Sequence, residues 1–333
     1  MKAAVLFGKG DCRITDFKEP AMDDNSVKVK VEYCGLCGTD LHKFEGRPGS
    51  RPVVYPVPLG HEASGIVVEL GANVKGFAVG DRVTVDPNWH CGHCEYCKNG
   101  VTHLCTASRG VVKGMAEYIC PPSENVYHIP DTLSLKDASL VEPLSCVLRG
   151  LDQLDVHPGE KVAIVGMGAI GTMMLMMLRR CYGACVAVIE AREEKREIAA
   201  SLGAERFICS MSENIDEKLE DFNPVKVIEC VGLPVTVETA IHIAGRGATV
   251  VLFGVSAIDA KAQMPLYELF SKELTIKTSY INPGTTQRAI NLLASGLLDT
   301  SILISKEITL DEFPTELVER KYCRNGKVIV KID

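Results

Sequence analysis

Four of the chain's 14 cysteines fall in one short stretch, Cys91-x2-Cys94-x2-Cys97-x7-Cys105. A tetrahedral zinc ion takes four thiolates, and this spacing lets a short loop wrap the ion without long-range closure. His90, His93 and His103 are interleaved and could each stand in for a thiolate, but four cysteines suffice and the histidines read as exposed loop residues. A closed four-coordinate set leaves no position for substrate, so this metal would be structural. A second constellation is dispersed. Cys37 lies in Gly35-Leu36-Cys37-Gly38-Thr39-Asp40, followed by His42. His61 and Glu62 follow Leu59-Gly60, and Glu142 lies in Val141-Glu142-Pro143-Leu144. Together they supply one sulfur, one imidazole nitrogen and carboxylate oxygens, the mixed set of a catalytic zinc with one position open. A third motif, Gly166-Met167-Gly168-Ala169-Ile170-Gly171, follows the apolar run Lys161–Val165 and opens a helical stretch. The first glycine permits the tight turn, the second lets a pyrophosphate approach the backbone, and the third lets helix and strand pack closely. The helix N-terminus then offers N–H groups and a positive dipole end to the phosphates. Glu190 ends the next strand, 19 residues after Gly171, where a carboxylate accepts hydrogen bonds from the adenosine ribose of NAD and repels the 2′-phosphate of NADP. Arg192 is a competing signal, since an Arg there could pair with that phosphate. The reading adopted is a solvated residue at the start of the charged helix 192–197.

These residues need elements to hold them. In the first third, Val27, Val29, Val31 and Tyr33 alternate with Lys28, Lys30 and Glu32, a half-buried strand. Short apolar runs recur at 66–68, 83–85, 118–120 and 125–127, punctuated by Gly, Pro and Asp. A mostly antiparallel β domain follows. From Lys161 onward apolar strands at 162–165, 186–189, 207–208, 225–229, 250–253 and 274–277 alternate with helical stretches such as 193–202 and 235–244. Gly183, Gly203 and Gly245 stand where helix C-caps are needed. The alternation implies right-handed crossovers and a parallel sheet. The chain ends in Lys327-Val328-Ile329-Val330-Lys331, a strand that could return to the first domain.

Composition bounds the class. The chain has 333 residues, 46% hydrophobic and 24% charged, which suits two medium domains or one large one and excludes disorder as its main character. The net charge of −7 argues against nucleic acid or an anionic membrane as partner. The longest uncharged run, Val162 to Leu178, is 17 residues and carries three glycines, so it reads as strand, turn and helix, with no membrane span. The N-terminal apolar stretch is too short for a signal-peptide core, and a cytoplasmic protein is expected. There, clustered thiols point to metal rather than disulfides. The remaining cysteines read as small buried hydrophobes.

The motifs Cys37-Gly38-Thr39-Asp40, Gly60-His61-Glu62, the four-cysteine loop, Glu142-Pro143 and Gly166–Gly171 carry a family resemblance over nearly the whole chain. It resembles the zinc-dependent medium-chain dehydrogenases/reductases, the superfamily of alcohol, sorbitol and threonine dehydrogenases, and is most similar in pattern to bacterial sugar-alcohol dehydrogenases. The resemblance implies an α/β protein. A GroES-like β-barrel catalytic domain, residues 1–144 and 281–333, accompanies a doubly wound Rossmann NAD-binding domain, residues 145–280, with zinc and nicotinamide in a cleft between them. It implies Cys37 and His61 as ligands of the catalytic zinc, Glu62 as ligand or close neighbour, and Glu142 as ligand directly or through water. Thr39 and His42 match the family's proton relay, and Glu190 its acidic ribose partner.

The implied reaction is reversible oxidation of a secondary alcohol to a ketone with NAD. Glu142 stands where liver-type alcohol dehydrogenases use a second cysteine, which resembles the polyol and threonine branch. Ile281 takes the place of the sorbitol-binding Arg of sorbitol dehydrogenases, so a different polyol is expected. Ser279, Tyr280 and Asn282 would offer polar groups at the pocket edge, with Arg47, Arg51 and Arg109 as possible anion anchors. Threonine or a small diol is the alternative substrate. A non-catalytic zinc- and nucleotide-binding protein is the rival of a different class. The resemblance also suggests a homodimer or homotetramer.

Overall fold

The computed structural model describes residues 1–47 and 53–332. The chain divides into two compact units, Met1–Ser145 with Ile281–Asp333, and Cys146–Tyr280.

The first unit is built on a seven-stranded sheet. Its order is Val126–His128, Arg82–Val85, Glu62–Leu70, Val27–Gly35, Lys327–Lys331 and Ile304–Thr309, with Tyr118–Ile119 also paired to Val27–Gly35. A three-stranded sheet of Asp11–Asp16, Lys2–Gly8 and Val57–Pro58 accompanies it. The alternation in Val27–Gly35 sends Val27, Val29 and Val31 into the core, where they meet Val67, Val83, Val328 and Val330. Register does the functional work. Gly35 stands opposite Glu62 on one side and opposite Ile329 on the other. The C-terminal strand therefore pairs with the strand that leads to Cys37, and the strand that carries Glu62 lies on the other side of that strand. A Cβ on Gly35 would come 2.0 Å from Glu62 Oε2, so a larger residue there would displace the Glu62 carboxylate.

The second unit is a six-stranded sheet, all parallel, in the order Arg206–Cys209, Cys185–Glu190, Lys161–Val165, Lys226–Glu229, Thr249–Leu252, Thr275–Thr278. Numbered within the unit, this is 3-2-1-4-5-6, the doubly wound order. Val162, Ala163, Ile164, Val186, Ala187, Val188, Val227 and Ile228 have no exposed surface, as strands covered on both faces require. Gly183 and Gly203 take the left-handed conformation beyond their helices, with φ of 57° and 86°. Gly245 does not. The left-handed residue after Pro234–His242 is Gly247, φ 71°. Gly245 is glycine for a close approach instead, since a Cβ would lie 2.5 Å from Asn223 Oδ1. The helix expected from Glu193 begins as a 3-10 turn, Glu193–Lys195, and becomes α-helical at Arg196–Ser201. Among the described residues no helix is long and apolar enough to cross a membrane.

All fourteen cysteines are free thiols. Outside the two thiol-bearing metal-type sets only Cys34 and Cys209 are buried, and Cys181 is exposed, so the expectation of small buried hydrophobes holds for few of them.

Candidate metal centres and dinucleotide site

In the first unit the sulfurs of Cys91, Cys94, Cys97 and Cys105 all lie within 4.8 Å of one another. Cys91 Sγ and Cys97 Sγ are 4.0 Å apart. A zinc tetrahedron with bonds of about 2.3 Å has sulfur–sulfur edges of about 3.8 Å, so the set is the right size for the ion. The loop closes through the short helix Glu95–Lys98 and through Gly92 and Gly100, both at positive φ (73° and 76°). Cys94 N–H donates to Cys91 Sγ at 3.3 Å and Cys91 N–H to Cys105 Sγ at 3.4 Å. The backbone N–H of Cys97 leads in drawing the Cys94 thiol down to about 6, while burial and then Cys94 push the Cys97 thiol up to about 12. His90 and His93 are exposed, while His103 is half-buried.

Cys37 caps the helix Gly38–Phe44. One atom each from Cys37, His61 and Glu62 meet within 4.8 Å. Asp40 holds this arrangement. Fully buried, it accepts from Cys37 N–H at 3.1 Å and from Gly60 N–H at 3.0 Å, tying the two ligand-bearing segments together. Glu62, 1% exposed, receives Lys327 Nζ on Oε1, and Lys327 Nζ also donates to Leu36 O at 3.0 Å. Glu62 Oε2 is buried without a hydrogen-bond partner. Burial first, then Glu62, pushes the Cys37 thiol up to about 11. Burial pushes the Glu142 carboxyl up to about 8, against the pull of His61. Burial opposes the Lys327 charge, but Glu62 and Cys37 outweigh it and hold the ammonium above its ordinary value. This pocket gathers more potential anions than Lys327 balances and leaves a carboxylate oxygen unsatisfied. Both observations fit a divalent cation held by sulfur, nitrogen and oxygen.

Glu142 is buried in the first turn of Val141–Leu154 and is not in the set that meets within 4.8 Å. Thr39 Oγ1 is 3.7 Å from Cys37 Sγ. Thr39 and His42 stand three residues apart on one helix and share a face. Burial, then Arg47, lowers His42 below the ordinary histidine value.

Asn282 departs from its expected place at a pocket edge. It is 1% exposed, with both ends taken: Nδ2 donates to Ser145 Oγ at 2.8 Å and Oδ1 accepts from Asn88 Nδ2 at 2.8 Å. Ser145 Oγ in turn donates to Glu142 O at 2.6 Å, so Asn282 braces the helix that carries Glu142. Ile281 beside it has φ 48°, unusual for a β-branched residue. In the second unit Tyr280 is exposed, and Ser279 Oγ is buried without a partner. Of the three arginine anchors, Arg47 pairs with Glu45 at 2.6 Å and Arg109 stacks on Trp89 at 4.5 Å. Arg51 lies outside the described residues.

In the second unit the glycine-rich loop leaves Lys161–Val165 and caps the helix Ala169–Arg180 with Gly168. Gly166 has φ 94°. A Cβ on Gly171 would fall 2.0 Å from Gly166 O, whereas one on Gly168 meets nothing within 4 Å. The loop is thus closed on itself at its third glycine and open at its second, a cradle shaped for a pyrophosphate. Here the strand order reverses between Lys161–Val165 and Lys226–Glu229, the place where doubly wound sheets bind ligands. Glu190 is buried; its Oε2 accepts from Met167 N–H at 2.6 Å, and its Oε1 from Ala191 N–H, Arg192 N–H and Arg192 Nε, each at 3.1 Å. Glu229, fully buried, accepts from Val231 N–H at 2.7 Å, Gly232 N–H at 2.8 Å and Thr236 Oγ1 at 2.8 Å. It sets the turn that brings Val231 against Gly166.

Sequence reasoning missed Asp40, Glu229 and Lys327. Asp40 sits inside a motif already singled out, and Glu229 ends a strand beside the switch point, so both had a local signal. Lys327 had none, because its partner is 265 residues away.

Residues 23–131 match the family model described as alcohol dehydrogenase GroES-like domain, and 169–295 match zinc-binding dehydrogenase. The chain is 31% identical to the sorbitol dehydrogenase of Bacillus subtilis (strain 168), over 94% of this chain and 91% of that one. Among solved structures, a zinc-binding dehydrogenase from Sinorhizobium meliloti 1021 bound to NADP is 33% identical with TM-score 0.92, covering 99% of this chain and 98% of its own. The galactitol-1-phosphate dehydrogenase of Escherichia coli is 27% identical with TM-score 0.91, covering 99% and 100%. The motifs, the doubly wound sheet, the two metal-type donor sets and these likenesses agree: the chain belongs to the zinc-dependent medium-chain dehydrogenase superfamily.

Proposed function

We propose that this chain reversibly oxidises a secondary hydroxyl of a sugar alcohol or related polyol to the ketone, with NAD(P) as hydride acceptor. The observation that carries the reading is the mixed set of Cys37 sulfur, His61 nitrogen and Glu62 oxygen within 4.8 Å, with Glu142 buried nearby in place of a second thiol. Sorbitol and galactitol 1-phosphate, which name two of the similar dehydrogenases, are both polyols. In our assignment residues 1–144 and 281–333 form the catalytic domain and 145–280 the dinucleotide-binding domain of a cytoplasmic homodimer or homotetramer.

Cys37, His61 and Glu62 would hold the catalytic zinc, with Glu142 directly or through water, and Cys91, Cys94, Cys97 and Cys105 the structural one. The glycine-rich loop would hold the dinucleotide pyrophosphate. When bound, zinc supplies Lewis acidity and the nicotinamide ring a two-electron acceptor. The chain's own groups do the rest. Asp40 holds the Cys37 and His61 segments in register through its two backbone bonds. Lys327 pairs with Glu62 Oε1 and orients its carboxylate. As the carbinol carbon gives up hydride, the hydroxyl proton leaves through Thr39 Oγ1, and the His42 imidazole passes it to solvent. Burial and Arg47 lower the His42 pKa, which favours the neutral imidazole that can take up a proton.

The test is growth of the reduced-nicotinamide absorbance band when zinc-loaded protein meets NAD or NADP and a panel of polyols, threonine, small diols and primary alcohols. The highest kcat/KM should fall on a polyol. A primary alcohol matching every polyol overturns the polyol reading and leaves the dehydrogenase. Threonine or a small diol leading the panel selects that alternative, and no reduction with any alcohol favours the non-catalytic rival.

A further inference from the structure

The carboxylate expected to choose between the two nicotinamide cofactors is already heavily engaged by its own chain. A carboxylate has about four lone-pair sites. Glu190 receives four donors from its own chain, three crowded on Oε1 (Ala191 N–H, Arg192 N–H and Arg192 Nε) and one, Met167 N–H, on Oε2. The shortest, 2.6 Å, reaches Met167, which stands between Gly166 and Gly168. Glu190 thus ties the end of its strand to the segment of backbone that the pyrophosphate must approach. Its charge is also balanced in place. The Arg192 guanidinium sits at 3.1 Å, and three backbone N–H dipoles point at the same group. Lys195 follows in the same turn, 5% exposed, its N–H on Arg192 O at 3.2 Å and its ammonium in the field of both Arg192 and Glu190. Of the other acids in this turn, Glu193 pairs with Arg196, and Glu194 acts on Lys195. The end of this strand is not the bare acidic edge that would exclude a phosphate.

We infer that Glu190 is a positioning residue for the glycine-rich loop, acting on the pyrophosphate that NAD and NADP share, and that it sets little preference between the two. The inference rests on the reading of that loop as the dinucleotide site. A carboxylate that bonds ribose hydroxyls distinguishes the cofactors, because only one of them carries a 2′-phosphate. A carboxylate that holds Met167 N–H in line acts on both equally. Arg192, the nearest cation to Glu190, then becomes the residue that favours the phosphate.

Titration calorimetry on zinc-loaded protein with NAD, NADP and ADP-ribose separates the two roles without any substrate turning over. In the wild type the Kd values for NAD and NADP should lie within tenfold of each other, and a larger preference for NAD overturns the inference. Glu190→Gln keeps the size of the side chain but removes one acceptor oxygen. It should weaken NAD, NADP and ADP-ribose alike, by about tenfold, with the NAD-to-NADP ratio moving less than threefold. Loss confined to NAD, or no loss for any ligand, overturns the positioning role. Arg192→Ala should weaken NADP more than NAD, and the reverse order counts against the assignment. If Glu190→Gln does not fold, as its melting curve would report, the wild-type ratio and the Arg192 variant still decide. Failure of all three ligands to bind wild-type protein would instead remove the dinucleotide reading itself.

Discussion

Glu62 and Lys327 meet across 265 residues of sequence, and both are almost wholly buried. A buried pair of this kind is costly to break, because the surviving charge stays desolvated, by about 3–5 kcal/mol. Lys327→Met removes the ion-pair partner that Glu62 has among the described residues, whereas bound zinc would still balance the carboxylate. The variant should therefore lower the melting temperature more in chelator-stripped protein than in zinc-loaded protein, and equal drops in the two states would refute a shared electrostatic role. His42 gives a prediction in pH. Its pKa is lowered by burial first, then by Arg47 and Arg320, with Glu45 opposing. Neutral His42 therefore survives below the ordinary value of about 6.5, and the acid limb of kcat/KM should fall below that pH. Arg47→Ala removes a positive neighbour, so the pKa rises and the limb moves to higher pH. His42→Ala should erase the limb and cut kcat/KM by about 10²-fold, the low end for a positioned proton-transfer group; a limb that persists unchanged in this variant belongs to another residue. At this scale the sequence was legible wherever function is local. The four cysteines fall within one loop, and Cys37, Thr39 and His42 lie on one helical turn and a half. Asn282 misled for the opposite reason: an amide near a strand end reads as a pocket group, and only the fold reveals that Asn88 and Ser145 have claimed both its ends.

Elements translate those local signals into geometry, and the glycine-rich turn shows how finely. Gly171 is closed against Gly166 O at 2.0 Å for a Cβ, a backbone atom that cannot move aside, while the space at Gly168 is open. Two alanine substitutions should therefore part company. Gly171→Ala should lower both the melting temperature and the dinucleotide affinity, the latter by tenfold or more, because helix and strand must separate. Gly168→Ala should leave the melting temperature nearly unchanged yet weaken dinucleotide binding by a similar factor, since its methyl would stand in the space a pyrophosphate needs. A Gly168→Ala protein that binds as well as wild type would show that the phosphates lie elsewhere. The parallel sheet could be read from apolar strands alternating with helices, because both faces of such a sheet are covered and its strands are continuously apolar. Helix ends were harder. Gly245 and Gly247 are two residues apart, and the sequence does not say which one turns left-handed and which one admits Asn223. Pairing of the last strand against Val27–Gly35 had no local signature beyond its apolar run, yet that pairing delivers Lys327 to Glu62.

For the whole molecule, metal content and self-association are the properties to measure. Two donor sets in the first unit predict two zinc ions per chain. Cys94→Ser should lose one and destabilise the fold, while His61→Ala should lose activity and the other ion with the fold intact; metal analysis and melting curves check both, and wild-type protein with no zinc at the four-cysteine loop would refute the first half. The proposed self-association would draw on what the second unit leaves uncovered. Thr275–Thr278 ends its sheet, paired to Thr249–Leu252 on one side and, among the described residues, to no strand on the other. The helix just before it, Leu266–Lys272, buries none of its residues and exposes Leu266, Tyr267 and Phe270 by 75%, 82% and 80%. Ile258 and Val255, earlier in the same stretch, are exposed by 77% and 67%. Isolated surface apolar residues need no explanation, but large side chains concentrated beside an open strand edge mark an association surface. A second copy of this chain is the occupant we assign, because a strand edge can pair with its own symmetry mate and the same apolar side chains can then cover one another. Light scattering on the zinc-loaded protein should give at least twice the mass of one chain. Phe270→Glu combined with Tyr267→Ser should shift that mass toward the single chain while far-ultraviolet circular dichroism and zinc content stay as in the wild type. A wild-type protein that runs as one chain at micromolar concentration, or a double variant whose mass does not change, would place the association surface elsewhere or remove it.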